Sequence, residues 1–141
     1  LCTIGAGAGR TTLREDATRN IVQAMDRTGV QRLICQSSLG VGDSRANLGA
    51  FTRHVIVGLF LRHAFADHER QEAVIEQSPL KWTIVRPPHL LDTPRTGVYR
   101  HGFPPTARDI KGKISRADVA DFMLKQLADE SYVERAPGVS Y

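Results

Sequence analysis

Gly5, Ser37 and His89 each stand at or just beyond the end of a short apolar, β-branched run of the sequence. A serine hydroxyl and a histidine imidazole can both donate and accept hydrogen bonds, so they are suited to binding and orienting a ligand. Ligands of open parallel sheets lie across the carboxyl ends of the strands, and we therefore expect the three residues to converge on one crevice. Two simpler interpretations stay open: Ser37 and Ser38 could cap a turn, and His89 could be a histidine of a surface loop.

Two other catalytic patterns are incomplete in this chain. His68-Glu69 begins like the zinc motif H-E-x-x-H, but residue 72 is Glu where the second histidine is required. The other histidines lack the spacing of metal ligands, so the sequence predicts no metal site. Ser37 is not flanked by the glycines of a G-x-S-x-G elbow, which disfavours a serine hydrolase.

The glycine run at residues 5–9 resembles a dinucleotide fingerprint only in part. A fingerprint G-x-G-x-x-G needs a third glycine where this chain has Arg10, and it needs an acidic residue at the end of the next strand, where none is found. The run is better interpreted as a flexible turn from a strand into a helix.

The elements that must position these residues follow from the periodicity of the sequence. Short β-branched runs alternate with stretches of helical period, which is typical of β-α-β units and a parallel sheet. We predict strands at residues 1–4, 30–35, 82–85 and 96–100, with an extended edge at the C-terminal end. We predict helices after Thr12, at residues 51–61 and 67–77, and after Ser115, and long loops at residues 39–47 and 103–113.

The helix ends and faces are also predicted from the sequence. Thr12 and Glu15 form a capping-box pattern, in which the Thr12 hydroxyl accepts from the Glu15 amide and the Glu15 carboxylate reaches back. Gly29 is expected to end that helix. The apolar spacing predicts the core-facing residues of the first and last helices, which are Ala17, Ile21, Ala24 and Met25, and Ala120, Met123, Leu124 and Leu127.

The composition is that of one ordinary globular domain, with 141 residues, a net charge of +4 and 41% hydrophobic residues. The longest apolar run, residues 55–61, is far shorter than the about 20 residues of a membrane-spanning helix. Scattered arginines disfavour a nucleic-acid partner, and the absence of a secretion signal favours a cytoplasmic protein without a membrane partner. Residues 55–61 would expose an apolar stripe, which leaves a homo-oligomer open. Cys2 and Cys35 are expected to be small buried hydrophobes rather than a disulfide.

Several segments together resemble the NAD(P)H-binding, NmrA-like branch of the atypical short-chain dehydrogenases/reductases, with flavin reductases of the biliverdin reductase B type closest in pattern. The most specific part of the likeness is Ser37-Ser38 at one strand end combined with Arg-Pro-Pro-His, residues 86–89, at the next. The remaining segments that carry it are residues 17–25, 67–70, 96–99 and 114–124.

The resemblance implies an α/β, Rossmann-like fold with three layers, α/β/α, around a parallel sheet. Residues 1–141 would form the C-terminal portion of this fold, as a single NAD(P)-binding domain. Residues 1–5 match the fourth strand of the family, so we expect about 65–75 residues, which carry the phosphate-binding turn, to be missing before Leu1. The implied cofactor is NADP or NAD, without a choice between them.

The same resemblance assigns roles to individual residues. Ser37 would lie beside the nicotinamide carboxamide or the substrate, and Pro88 and His89 would line the nicotinamide ring, with Ser37 and His89 as the catalytic residues. His68 and Arg70 would face the cofactor ribose, although both could equally belong to a solvated helix face. The full set of implied cofactor-binding residues is Thr3, Ile4, Gly5, Cys35, Ser37, His68, Arg70, Pro88 and His89.

The chain departs from the wider superfamily at its general acid, which is a Tyr four residues before a Lys. No Tyr here has that neighbour, and the matching helix positions hold Ala66 and Arg70. Without a phenol to protonate an alkoxide, hydride transfer to a conjugated planar acceptor such as a flavin or quinone is favoured over alcohol dehydrogenation. Two alternatives remain: a non-catalytic, dinucleotide-binding redox sensor that acts on a partner protein, and a truncated remnant that binds no cofactor.

Overall fold

A computed structural model describes residues 1–49 and 51–141 of the chain. Its helices are α1 (Leu13–Thr28), a 3-10 helix (Gly42–Asn47), a π-helix (Thr52–Phe60), α2 (Arg62–Glu76) and α3 (Arg116–Lys125). Its strands are β1 (Arg32–Gln36), β2 (Lys81–Val85), β3 (His89–Leu91), β4 (Arg100–His101), β5 (Lys113–Ser115) and β6 (Val139–Ser140). As predicted, α1 ends at Gly29, whose φ of 73° lies in the left-handed region that glycine adopts without strain.

The central sheet consists of parallel segments around β1 and β2. The two strands pair in register from Arg32 opposite Lys81 to Gln36 opposite Val85. At the outer side of β1, residues 1–4 continue the sheet through the bridge between Cys2 and Cys35, and residues 135–138 continue it along β2. The predicted parallel arrangement of the first three strand segments is therefore confirmed.

Helices cover both faces of this sheet, because successive side chains of a strand point to opposite sides. Leu33 and Cys35 of β1 pack with Ile75 of α2 and with apolar residues of α1. Ile34, between them, packs on the other face with Phe122 of α3. The result is three layers, α/β/α, which confirms the predicted fold class.

Two short strand pairs extend the structure beyond the central sheet. β3 pairs with β5 in parallel, and β4 pairs with β6 in antiparallel orientation. The predicted strand at residues 96–100 is largely wrong, since only Arg100 belongs to a strand. The amides of Thr96 and Gly97 instead donate to the carboxylate of Asp118, at 3.0 and 2.8 Å, and this side-chain partner replaces the ladder of a sheet.

The predicted capping box at the start of α1 is wrong. The Thr12 hydroxyl donates to Asp16, with 2.7 Å between the oxygens, and accepts no amide. The amides of Arg14 and Glu15 donate instead to the carboxylate of Asp67, at 3.2 and 3.4 Å. A carboxylate from another helix thus takes the place of the local hydroxyl, and the negative charge lies where the helix dipole favours it.

The predicted inner face of α1 is partly wrong. Ile21 and Met25 pack against the core as expected, but Ala24 is exposed. Arg14 and Thr18 are buried in its place, because both side chains have polar partners on α2.

The predicted inner face of α3 is also largely wrong. Met123 is buried, but Ala120 is exposed and the exposed fractions of Leu124 and Leu127 are 56% and 53%. The buried face is formed by Asp118, Val119, Phe122 and Met123. Hydrogen bonds to the buried carboxylate of Asp118 from Thr96, Ser115 and Tyr141 turn that side of the helix inward.

The helices at residues 51–61 and 67–77 are confirmed, with one shifted boundary. α2 begins at Arg62 rather than at Asp67, because Ala64 and Phe65 are buried and Phe65 packs with Val41 and Val57. On the π-helix and the residue before it, apolar side chains remain open to solvent, with exposed fractions of 69% for Phe51, 66% for Leu59 and 69% for Phe60.

Cys2 and Cys35 are both buried and both free thiols, as expected. Within residues 1–49 and 51–141, the helices are too short or too polar for any of them to cross a membrane.

Candidate functional site

The three parallel segments of the central sheet end side by side. The amide of Gln36 donates to the carbonyl of Cys2 at 2.8 Å, and the amide of Ser37 donates to the carbonyl of Val85 at 2.8 Å. Gly5 continues the first segment past this edge, and His89 follows β2 after two prolines. The structure therefore directs Gly5, Ser37 and His89 to the carboxyl ends of neighbouring parallel strands, where open α/β sheets bind ligands.

Ser37 and His68 lie together at this edge. Ser37 is 3% exposed, and 3.4 Å separate its Oγ from Nδ1 of His68, which in turn is 3.2 Å from Oε1 of Gln71. The side-chain Nε2 of Gln71 donates to Oγ1 of Thr18 at 3.1 Å and to Sγ of Cys35 at 3.3 Å. The side-chain Oε1 of Gln71 is therefore the atom that accepts from His68. This network assigns the ring hydrogen of neutral His68 to Nδ1.

His68 is held in its neutral form. Burial and the charge of Arg14 lower the pKa of His68 from 6.5 to about 4, against the opposing effects of Gln71 and Asp67. Because Nδ1 carries the hydrogen, the Ser37 oxygen can only accept from it. The Ser37 hydroxyl hydrogen then has no acceptor within the described part of the chain, and it is available to a ligand at the strand ends.

Arg14 connects the glycine run to α2. Its Nη1 is 3.2 Å from the buried carboxylate of Asp67, and its Nη2 donates to the carbonyl of Ala6 at 2.7 Å. The backbone just beyond Gly5 is thus fixed through a buried ion pair. Removing one partner of such a pair is strongly destabilising, since the other charge stays buried and uncompensated.

Arg70 lies next to the start of α1. Its Nε donates to Glu15 at 2.8 Å and its Nη2 donates to the carbonyl of Thr11 at 3.0 Å. Arg70 also lines a cleft of about 620 Å³ with His63 and Ala66. Only Glu69 separates the two residues on α2, but His68 contacts Ser37 and Gln71 whereas Arg70 pairs with Glu15.

Pro88 and His89 lie in a second cleft, of about 650 Å³. Ser38 and Leu39, which follow β1, form the same wall, and the amide of Leu39 donates to the carbonyl of Pro87 at 2.8 Å. The π-helix and the segment before β5 also line the cleft, through Thr52, Ile56 and Val57 and through Arg108, Ile110 and Gly112. Ser38, the neighbour of Ser37, thus brings the end of β1 to this cleft.

Two of the implied cofactor-binding residues, Cys35 and Ile4, have side chains that pack into the core and not at this edge. Cys35 is fully buried and Ile4 packs into the same apolar cluster, whereas Thr3 is exposed. The side chains of Cys35 and Ile4 belong to the core between the sheet and helices α1 and α2. A ligand at the strand ends would meet these two residues through their main chain.

Arg86 fixes the loop that follows Ser38. It is 4% exposed, pairs with both oxygens of Glu72 at 3.0 and 2.6 Å, and also donates to Asp43. Burial works against its charge, but the two carboxylates outweigh it and raise the pKa of Arg86. The 3-10 helix is thereby tied to α2 and to the end of β2.

Sequence reasoning missed Arg14, Asp67 and Gln71 as site-supporting residues, and it assigned no role to Arg86. The available signal was a polar side chain on an otherwise apolar helix face, such as Arg14 and Thr18, which lie about two turns and one turn before Ile21. Within residues 1–49 and 51–141, the structure contains no group of three or more His, Cys, Asp or Glu side chains that could hold a metal ion.

The chain is similar to known proteins in sequence and in fold. A family model for NAD(P)H-binding domains matches residues 1–130. ChuY from Escherichia coli CFT073 superposes with a TM-score of 0.74 at 25% sequence identity, over 89% of this chain and 60% of that chain. ChuY from Escherichia coli O157:H7, an anaerobilin reductase, has a TM-score of 0.72 at 25% identity, over 97% of this chain and 60% of that chain.

A short-chain dehydrogenase/reductase from Veillonella parvula in complex with NADP has a TM-score of 0.75 at 22% identity, over 93% of this chain and 60% of that chain. The chain thus spans about 60% of the length of each of these three solved structures. Since the family model covers residues 1–130, this chain belongs to the NAD(P)H-binding family.

Proposed function

We propose that the protein is an NAD(P)H-dependent reductase that transfers hydride to a flavin, a quinone or a similar planar acceptor. The observation that carries this proposal is the buried Ser37 hydroxyl at the end of β1, whose hydrogen is left free by the neutral His68 beside it. A carboxamide carbonyl is a suitable acceptor for such a hydrogen.

The described residues fit the nicotinamide end of a dinucleotide. Main-chain groups of residues 3–5 and the hydroxyl of Ser37 would bind it, and Pro88 and His89 would line the adjoining surface. His68 and Arg70 would lie on the side of the ribose, where the ion pair of Arg70 with Glu15 would have to accommodate the sugar.

The bound cofactor would supply a hydride, and the acceptor would take that hydride together with one proton. The reaction balances as NAD(P)H plus acceptor plus H⁺ giving NAD(P)⁺ and the two-electron-reduced acceptor. Ala66 and Arg70 stand where the superfamily has Tyr and Lys, so this chain has no phenol at that place and solvent would supply the proton. Ser37 and His89 would orient the reactants rather than transfer protons.

The proposal is tested by NADPH oxidation with FMN or a quinone in the full-length protein. Ser37→Ala should lower kcat/KM about tenfold, as expected for one lost hydrogen bond of about 1.4 kcal/mol, and His89→Ala should lower it as well. Ser131→Ala, at an exposed position, is the matched control. Tight dinucleotide binding without turnover would favour the sensor, and no dinucleotide binding would refute both.

A further inference from the structure

The cleft beside His89 has an unusual balance of apolar and charged lining. Its walls carry the aliphatic and aromatic side chains of Leu39, Leu48, Ile56, Leu61, Phe65 and Ile110. Among the described residues that line it, Arg108 is the only Arg or Lys and there is no Asp or Glu. A pocket of this kind favours a molecule with a large apolar body and a negative charge at one end.

The Arg108 side chain is exposed, and one nitrogen of its guanidinium is hydrogen-bonded to main-chain carbonyls. Its Nη1 donates to the carbonyl of Ala46 at 2.6 Å and, at 3.4 Å, to those of Pro105 and Ala107. Among the side chains that the structure describes, which exclude those of residues 50 and 53, its Nε and Nη2 have no hydrogen-bond partner and no carboxylate pairs with it. The nearest acidic residue in sequence, Asp109, pairs with Arg100 instead.

The backbone that carries Arg108 is also anchored. Asn47 is 9% exposed. Its side-chain Nδ2 donates to the carbonyls of Pro104 and Ala107 at 3.0 and 3.2 Å. A guanidinium that is positioned in advance and keeps free N–H groups is suited to binding a carboxylate or a phosphate.

We propose that this cleft receives the hydride acceptor, and that Arg108 selects acceptors in which a flat apolar body carries a carboxylate or phosphate. This inference rests on the proposed reductase function and names the substrate class of its site. The acceptor body would lie between the π-helix and His89, with its anionic group at Arg108. Its reactive part would then face the strand ends, where Ser38 and His89 line the same cleft.

The test uses two pairs of acceptors that differ by one anionic group in the full-length protein. These are FMN with riboflavin, and 1,4-naphthoquinone-2-carboxylate with 1,4-naphthoquinone. We expect kcat/KM to favour the charged member of at least one pair by tenfold or more, and the pair that responds identifies phosphate or carboxylate as the preferred group. Arg108→Gln should abolish this preference and change the uncharged acceptor less than twofold, while Arg108→Lys should keep part of it.

Arg95→Gln is the matched control, because Arg95 is exposed and pairs with Asp121 outside the cleft. Equal rates for charged and uncharged acceptors in the wild type, or an equal loss for both in Arg108→Gln, would overturn the inference and leave the reductase function standing. Flavin binding is also measured without NADPH, by quenching of flavin fluorescence. Failure of NADPH oxidation with every acceptor, while FMN still binds in an Arg108-dependent way, would instead reject the reductase function.

Discussion

The neutral state of His68 makes the stability of the protein depend on pH in a defined way. The pKa of this imidazole is lowered from 6.5 to about 4, first by burial and then by the charge of Arg14. Between these two values the unfolded chain binds a proton that the folded chain does not. The free energy of unfolding must therefore fall as the pH decreases through this range and be fully retained above it.

The magnitude follows from the same two pKa values. Each tenfold difference in proton affinity is worth about 1.4 kcal/mol, so the full contribution of His68 is about 3 kcal/mol. Urea denaturation at pH values from 7 to 4 measures it in the wild type and in His68→Asn. The variant keeps an amide near the position of Nδ1 but does not titrate, and its stability should fall by about 3 kcal/mol less over this range.

His89→Asn is the control, since it makes the same substitution at an exposed histidine. Parallel stability curves for the wild type and His68→Asn would refute the reasoning. An NMR titration of the His68 ring gives an independent measurement, and a midpoint near 6.5 would contradict it equally.

Two further predictions concern stability and use denaturant unfolding at pH 7. Glu72→Ala should lower the free energy of unfolding by about 3–5 kcal/mol, because it leaves the buried Arg86 guanidinium without its main partner. Glu69→Ala, which removes the pair of Glu69 with Arg45, should lower it by under about 1 kcal/mol, because both side chains are about half exposed. Similar costs for the two variants would argue against the buried pair. Phe122→Ala should lower the free energy of unfolding by about 3–5 kcal/mol, because Phe122 is buried. Leu124→Ala should lower it by under about 1 kcal/mol, because Leu124 is exposed. The reverse order would mean that the inner face of α3 is the one that the sequence predicts.

Local sequence patterns were sufficient for the elements but not for their polar contacts. Gly29 ends α1 because a left-handed residue is needed there, and this requirement is visible in one position of the sequence. The start of α1 was predicted wrongly because Asp67, 53 residues from Arg14, supplies the cap. A competing partner so distant in sequence leaves no trace in the local pattern.

The candidate site shows the same division. The strand ends that carry Gly5, Ser37 and His89 follow from periodicity and from the rule for parallel sheets. The neutral imidazole of His68 depends on burial, on Arg14 and on a tautomer set by Gln71. The pairing of Arg70 with Glu15 likewise arises only where α1 packs against α2.

The sequence by itself determined the alternation of strands and helices, the residues at the carboxyl ends of the strands and the lack of any Tyr four residues before a Lys. These properties depend on residue type and on spacing along the chain. The tertiary structure decided which charges are buried together, which face of α3 packs inward and that Arg108 faces an apolar cleft. Such features depend on side chains brought together from distant positions, where the loss of water makes each polar contact strong and each missing partner costly.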